Sequence, residues 1–249
     1  MGGTMPNLGN VFAELRRQHQ VVRMAAFGSS NTQRRLMGMH WFDLAELGLK
    51  QTYGPGCVQC CNMGVGGDTS VLMLERFERD VTPFHPHFTI VTVGGNDSKP
   101  ERKVDAPTFA ANLKEIVRKL AALESQVLLQ TYYSCDLEQL PPQHAEQMVQ
   151  YMQIVRETAE ECGVPLLDHF VRWERLRRSD LGLYRLLMTD RMHVNAAGNL
   201  VLGLDLLRAL GIELPDAMRA EALPGYFGRK ILDLLETPFC GTSSGENRK

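Results

Sequence analysis

The stretch that decides the fold is Phe88-Thr89-Ile90-Val91-Thr92-Val93-Gly94-Gly95-Asn96-Asp97. Its first six residues are apolar or β-branched, a composition typical of a strand buried on both faces. The two glycines end that strand, and a side-chain amide and a carboxylate follow them at once. Polar groups that follow a buried strand in this way are typical of the carboxyl edge of a parallel sheet, where reactive groups gather.

Outward from this strand, the chain alternates strand-like apolar runs with helical stretches. Further strands are expected at residues 21–27, 58–65, 127–131 and 164–168, and helices at residues 7–20, 35–49, 70–81, 107–123, 141–162 and 196–210. Strands that alternate with helices are joined by right-handed crossovers, which produce a parallel sheet covered on both faces. The sequence therefore predicts an α/β fold, a three-layer sandwich whose five-stranded parallel sheet has the flavodoxin-like order 2-1-3-4-5.

Length and composition favour one domain of an ordinary globular protein. The chain has 249 residues, of which 44% are hydrophobic and 22% are charged, and its formal net charge is −2. We expect a single domain over residues 1–240, with the motif-bearing core at 21–210, a helix at 226–235 and a mobile tail at 241–249. The small net charge argues against nucleic acid or a membrane as a partner, because such binders usually carry a basic surplus.

The cysteines indicate in which cellular compartment the protein is located. Six cysteines occur in a chain in which no export signal is visible. Reduced thiols and a cytoplasmic location are therefore expected. The sequence leaves the oligomeric state open.

Four polar segments carry the chemistry, and three of them follow predicted strands. They are Gly28-Ser29-Ser30, Gly66-Gly67-Asp68-Thr69, Gly94-Gly95-Asn96-Asp97 and, before the last predicted helix, Asp190-Arg191-Met192-His193. In the expected strand order the first strand lies between the second and third, so Ser30 would lie between Gly67 and Asn96. A hydroxyl, flanking amides and a histidine with its own carboxylate are the groups that acyl transfer requires. Asp68 and Asp97 are interpreted as caps and loop braces.

In order and spacing, these segments resemble the four blocks of the SGNH, or GDSL-type, hydrolase family of esterases, lipases and acyl-carbohydrate deacetylases. The resemblance spans about residues 21–210. It implies that Ser30 is the nucleophile, that His193 is the base, and that Asp190 orients the imidazole. It also implies an oxyanion hole made of the backbone N–H groups of Ser30 and Gly67 and the side-chain amide of Asn96.

The reaction implied by this resemblance is hydrolysis of an O-acyl ester through an acyl-serine intermediate, with neither a cofactor nor a metal. Short-chain or acetyl esters are expected, and an acylated carbohydrate is the preferred substrate class by analogy with the family. Residues 98–104, residues 132–140 and Met192 are expected to shape the pocket. A lysophospholipase or a thioesterase would use the same catalytic residues, so both stay open.

One departure from the family pattern is Ser29, which stands where the family usually has an aspartate. That aspartate is not a member of the triad, so the implied mechanism remains available. Two alternatives stay open as a result. Ser29 could be the attacking serine, or the chain could be a non-catalytic α/β binding module.

Two further patterns could hold a metal ion. They are Cys57-x-x-Cys60-Cys61 and His85-Pro86-His87. Neither has a second ligand pair or a third ligand nearby, so we interpret the first as residues entering a buried strand and the second as a surface turn. No Gly-x-Gly-x-x-Gly loop follows the first strand, which argues against a dinucleotide site.

Overall fold

A parallel sheet forms the centre of the computed structural model, which describes residues 8–133 and 135–212. The strands are β1 (Val22–Gly28), β2 (Val58–Gly64), β3 (Phe88–Thr92), β4 (Gln126–Gln130) and β5 (Leu166–Leu167). Their order is β2-β1-β3-β4-β5, and every neighbouring pair is parallel. The predicted α/β class and strand order are therefore confirmed. All residues of β3 are buried, as its composition predicts.

Helices pack on both faces of this sheet. They are α1 (Leu8–Gln18), α2 (Trp41–Tyr53), α3 (Ser70–Glu75), α4 (Phe77–Asp80), α5 (Ala106–Ala122), α6 (Pro142–Cys162), α7 (His169–Ser179), α8 (Leu181–Leu186) and α9 (Ala196–Ala209). Within the described ranges, none of them is long and apolar enough to cross a membrane. The helix expected at 226–235 and the tail expected at 241–249 lie outside the described residues, and the single-domain assignment stays a prediction.

Two predicted helices differ from the structure by more than a residue or two at their ends. The helix expected at 35–49 begins only at Trp41, because Gly38 has a φ of +98° and His40 caps the helix. The His40 Nδ1 atom accepts a hydrogen bond from the N–H of Phe42 at 3.3 Å. The helix expected at 70–81 is split into α3 and α4 at Arg76, whose φ and ψ of −95° and 1° depart from the α-helical values.

The core has one apolar cluster on each face of the sheet. In β1, Met24 and Ala26 pack into the cluster with α2, α7 and α9, whereas Ala25 and Phe27 pack into the cluster with α4, α5 and α6. This alternation follows from the two-residue period of a strand. The sheet is thereby covered on both sides, and its open carboxyl edge is the place where loops can form a site.

Candidate active site

Ser30 is presented by a tight turn directly after β1. The carbonyl oxygen of Ser29 accepts hydrogen bonds from the N–H groups of Thr32 at 3.0 Å and Gln33 at 2.8 Å. The end of β2 lies against this turn, because a Cβ atom on Gly64 would come within 2.2 Å of the Gln33 backbone nitrogen. Glycine at position 64 therefore allows the close approach that holds the turn in place.

Ser30, His193 and Asp190 are joined by hydrogen bonds. The Ser30 Oγ atom lies 2.9 Å from His193 Nε2. The His193 Nδ1 atom lies 3.0 and 2.9 Å from the two carboxylate oxygens of Asp190. Because an ionised carboxylate only accepts hydrogen bonds, Asp190 places the imidazole proton on Nδ1 and leaves Nε2 free to take a proton from Ser30.

Asp190 is fixed within the turn that carries His193. Its Oδ1 atom accepts from the N–H groups of Met192 at 2.7 Å and His193 at 2.9 Å. Burial by itself would raise the pKa of Asp190, but the Met192 N–H and the His193 imidazole outweigh burial and hold that pKa below its ordinary value. The helix that follows is capped by Asn195 instead, whose side chain accepts from the Gly198 N–H. Asp190 thus interacts with the histidine and does not cap α9.

Ser29 is hydrogen-bonded to a tyrosine. Its side chain is buried, and its hydroxyl forms a hydrogen bond with the hydroxyl of Tyr132. Burial raises the pKa of Tyr132, so this tyrosine is neutral at physiological pH. Of the two adjacent serines, Ser30 is the one that lies beside His193.

Gly67 and Asn96 lie in the loops after β2 and β3 and are linked through Asp68. The Asn96 Nδ2 atom donates to the Asp68 carbonyl oxygen at 2.8 Å, which uses one of its two N–H groups. Gly67 has a φ of +88°, which favours glycine. A Cβ atom on Gly66 would lie 4.0 Å from the Cβ of Ser30, so the glycine turn lies against the nucleophile loop.

Arg76 braces these loops and was not found by sequence reasoning. Its Nε atom donates to Asp68 Oδ2 at 2.6 Å, and its Nη2 atom donates to the carbonyl oxygens of Gly28 at 3.1 Å and Met63 at 2.8 Å. The guanidinium thus ties the ends of β1 and β2 to the Gly67 loop. Asp97 is a second brace, because its Oδ1 atom accepts from the Ser70 N–H at 2.7 Å.

Tyr133 connects the loop that carries Ser30 to the turn that carries His193. Its hydroxyl oxygen lies 2.7 Å from Asn31 Oδ1 and 2.7 Å from the Met192 carbonyl oxygen, and it accepts from the Val194 N–H at 3.0 Å. Met192 and Val194 are the two neighbours of His193 in the chain. Sequence reasoning missed this role, although the place of Tyr133 just after β4 was an available signal.

Two cavities meet at Ser30 and His193. The larger has a volume of about 420 Å³, and its wall includes Asn96, Lys99, Glu101, Tyr132, His144 and Met192. The smaller, of about 30 Å³, is bounded by Asn31, Gln33, Met39, His40 and Val194. Met192 and residues from both expected segments, 98–104 and 132–140, line the larger cavity, as predicted. Gly67 lines neither cavity.

The two cysteine- and histidine-rich patterns are not assembled into ligand sets. In the part of the chain that the structure describes, no three His, Cys, Asp or Glu side chains are grouped so as to hold a metal ion. Burial raises the pKa of Cys60 well above its ordinary value, so the thiol stays protonated. His87 stacks on His19 with ring centroids 3.6 Å apart, and burial lowers its pKa to about 4.

Comparisons with known proteins place this geometry in a family. Residues 26–201 match the model of the GDSL-like Lipase/Acylhydrolase family. An acetylxylan esterase from Geobacillus stearothermophilus is 26% identical over 177 residues, which cover 67% of this chain and 79% of that protein.

Solved structures show the same fold. The crystal structure of the acetylxylan esterase Axe2 from Geobacillus stearothermophilus matches with a TM-score of 0.67 and 23% identity, covering 77% of this chain and 95% of that chain. The acetyl xylan esterase AlAXEase matches with a TM-score of 0.68 and 23% identity, covering 76% and 100%. The predicted family and the predicted hydrolysis of carboxylic esters are confirmed. The chain therefore belongs to the GDSL-like lipase/acylhydrolase family.

Proposed function

We propose that this hydrolase removes acetyl groups from an acylated carbohydrate, with Ser30 as the nucleophile of an acyl-serine mechanism. The observation that carries the proposal is the continuous hydrogen-bond chain from the Ser30 hydroxyl through the His193 imidazole to the Asp190 carboxylate. The carbohydrate part is supported by the relatives named above, which are described as acetylxylan esterases.

In the first half of the reaction, Ser30 Oγ attacks the carbonyl carbon of the acetyl ester while His193 Nε2 takes its proton. Asp190 stabilises the imidazolium that forms. The Ser30 N–H, the Gly67 N–H and the second N–H of the Asn96 amide donate to the negative oxygen of the tetrahedral intermediate. His193 then protonates the departing sugar oxygen, which leaves acetate bound as an ester to Ser30.

In the second half, water attacks the acetyl-serine. His193 Nε2 takes a proton from this water, and the same three donors stabilise the second tetrahedral intermediate. Collapse of that intermediate releases acetate and returns the proton from His193 to Ser30. Each proton taken by the imidazole is given back, so the cycle needs no group beyond these side chains, backbone donors and water.

The two cavities support a short acyl group and a larger alcohol. The smaller cavity, of about 30 Å³, exceeds the roughly 10–15 Å³ that one water molecule needs, and it suits a small group such as the methyl of an acetyl ester. The cavity of about 420 Å³ has room for a sugar ring. Leu36, Met37 and Met39 are exposed beside the smaller cavity and favour the second candidate, a lysophospholipase or thioesterase that takes longer acyl chains.

Hydrolysis of a series of p-nitrophenyl esters from acetyl to decanoyl, together with acetate release from acetylated xylooligosaccharides, separates these candidates. The proposal predicts the highest kcat/KM on acetyl esters and release of acetate from the saccharide. Ser30→Ala is expected to lower kcat by about 10⁴-fold or more, because the nucleophile is removed.

Ser29→Ala is the matched control. It removes the neighbouring hydroxyl, which is bonded to Tyr132, and is expected to retain most of the activity. A preference for decanoyl esters would overturn the acetyl assignment. Undiminished turnover by Ser30→Ala would remove Ser30 from the mechanism.

We also propose a cytoplasmic location. Cys57, Cys60, Cys61 and Cys162 are free thiols, which supports a reducing compartment. Fractionation of the native host tests this, and recovery of the protein outside the cytoplasm would contradict it.

A further inference from the structure

His144 lies in the wall of the larger cavity without a hydrogen-bond partner for one ring nitrogen. It occupies the first turn of α6 and is 6% exposed. Its Nε2 atom is buried and has no partner among the described residues. Buried polar groups are nearly always satisfied in native proteins, so such an atom in a cavity wall points to a ligand that is hydrogen-bonded there.

Position separates His144 from the other buried atoms of this kind. The described side chains that also carry such an atom, including Asn31, Gln130 and Trp173, do not line the larger cavity. His144 does, in the same wall as Ser30 and Asn96. The side chain with this buried, unpartnered nitrogen therefore borders the space that the proposed function assigns to the alcohol part of the substrate.

The charge state of His144 limits the kind of ligand. Burial lowers the pKa of His144, and the positive charges of Lys99 and Arg191 lower it further, against the opposing effect of Glu101. The imidazole is thus neutral at physiological pH and presents one donor and one acceptor nitrogen. The positive charges of Lys99 and Arg191 disfavour a positively charged ligand. An uncharged hydroxyl can form a hydrogen bond with Nε2 whether this nitrogen is the donor or the acceptor.

We infer that His144 is a specificity-determining residue whose Nε2 atom forms a hydrogen bond with a free hydroxyl of the acetylated sugar. This inference rests on the proposed function, because it assigns the alcohol part of the ester to the larger cavity. His144 takes no part in the bond-making steps. It recognises the sugar by orienting the ring so that the acetyl carbon reaches Ser30.

Two acetyl esters of similar ring size test the inference. One is a xyloside carrying a single acetyl group and free hydroxyls, and the other is cyclohexyl acetate, which has no hydroxyl. His144→Leu is expected to lower kcat/KM on the xyloside by about 10-fold, mainly through KM, because one hydrogen bond is lost. The same variant should change kcat/KM on cyclohexyl acetate by no more than about 2-fold.

Two further variants make the result specific to this nitrogen. His144→Gln carries an amide nitrogen near the position of Nε2 and should recover part of the preference for the xyloside. Gln147→Leu is the matched control, because Gln147 lies one turn further along α6 with a buried, unpartnered Oε1 atom and does not line the cavity. It should leave the ratio of the two kcat/KM values unchanged.

An equal loss on both esters in His144→Leu, or no loss on the xyloside, would overturn the inference and leave the proposed function standing. A wild-type enzyme that cleaves both esters equally well would overturn the inference together with the carbohydrate part of the proposed function. Neither result would affect the assignment of Ser30, which is tested separately by its alanine variant.

Discussion

The two sides of the proposed catalytic centre are held in different ways. On the proposed oxyanion side, which comprises the loops after β2 and β3 and the Arg76 that braces them, the residues Asp68, Arg76, Asn96 and Asp97 are between 1% and 7% exposed. In the base turn, residues 188–194, the side chains of Asp190 and His193 are 48% and 26% exposed. The oxyanion side is braced by a buried guanidinium, whereas the base turn is held by its own backbone and by Tyr133.

The difference in burial between the two sides matches the chemical role proposed for each. Donors to a developing oxyanion are effective only when they are fixed before the reaction, and burial with a full set of hydrogen bonds fixes them. A general base has to exchange protons with the leaving alcohol and with water, so partial exposure suits it. We therefore expect stability and activity to change together on the proposed oxyanion side, whereas a substitution within the base turn itself should change activity with little change in stability.

The largest expected effect is that of Asp190→Asn in the base turn. The asparagine Oδ1 atom can still accept from Met192 and His193, so the turn keeps its shape. Its amide, however, donates toward Nδ1 and favours the imidazole tautomer that cannot take the Ser30 proton. We expect kcat to fall by about 10⁴-fold with little change in Tm. Steady-state kinetics measures kcat, and thermal unfolding measures Tm. A large drop in Tm would contradict the difference proposed between the two sides.

Arg76→Met on the proposed oxyanion side should have the next largest effect. This effect is mainly a loss of stability. It leaves the buried Asp68 carboxylate without its ion pair and removes donors from Gly28 and Met63. Loss of one partner of a buried pair typically costs about 3–5 kcal/mol in the free energy of unfolding. We expect kcat to fall as well, because the same group holds the oxyanion loop.

Arg79→Met is the matched control for Arg76, since Arg79 is an exposed arginine on the same segment that pairs with Asp80. It should leave both stability and kcat close to wild type. Urea denaturation and kinetics on the folded fraction make the comparison. An Arg76→Met variant as stable as the control would show that the buried brace is not what fixes this side.

The smallest of the three effects is expected for Tyr133→Phe, which removes the link between the nucleophile loop and the base turn. The Val194 N–H loses its acceptor, so we expect a loss of about 1–2 kcal/mol in the free energy of unfolding. A shift of His193 relative to Ser30 should lower kcat by about 10-fold and leave KM nearly unchanged.

Tyr151→Phe is the control for this positioning role. Tyr151 is also buried and donates to the Val104 carbonyl oxygen, and neither residue lines the two cavities at Ser30 and His193. It should lose similar stability without a change in kcat. Equal kcat values for the two variants would reduce Tyr133 to a structural residue.

The sequence predicts the sheet and the meeting of the reactive groups for a common reason. Each of Ser30, Gly67 and Asn96 follows a strand, and parallel strands end at one edge, so local patterns are enough to place them near one another. The predicted start of α2 at residue 35 is wrong, because the helix is capped by a histidine. Sequence signals for caps rest on serine, threonine, aspartate and asparagine.

The place of Tyr133 after β4 indicates only that it lies at the carboxyl edge of the sheet. The roles of Arg76, Tyr133 and His144 depend on contacts that no local pattern encodes. Tyr133 bonds to Asn31, which is 102 positions away in the chain. In the sequence, Arg76 has the pattern of a solvent-exposed helical arginine. In the structure, its guanidinium is buried and donates to carbonyl groups near the ends of β1 and β2. The role inferred for His144 depends on the cavity that it lines, which is formed by residues from several loops.

Covalent labelling measures whether one serine hydroxyl is activated by the His193–Asp190 pair. A fluorophosphonate reacts with an activated serine, and mass spectrometry locates the adduct. We predict one adduct per chain on Ser30, retained in Ser29→Ala, absent in Ser30→Ala and formed far more slowly in Asp190→Asn. An adduct that persists in Ser30→Ala, or an active enzyme that stays unlabelled, would contradict the account.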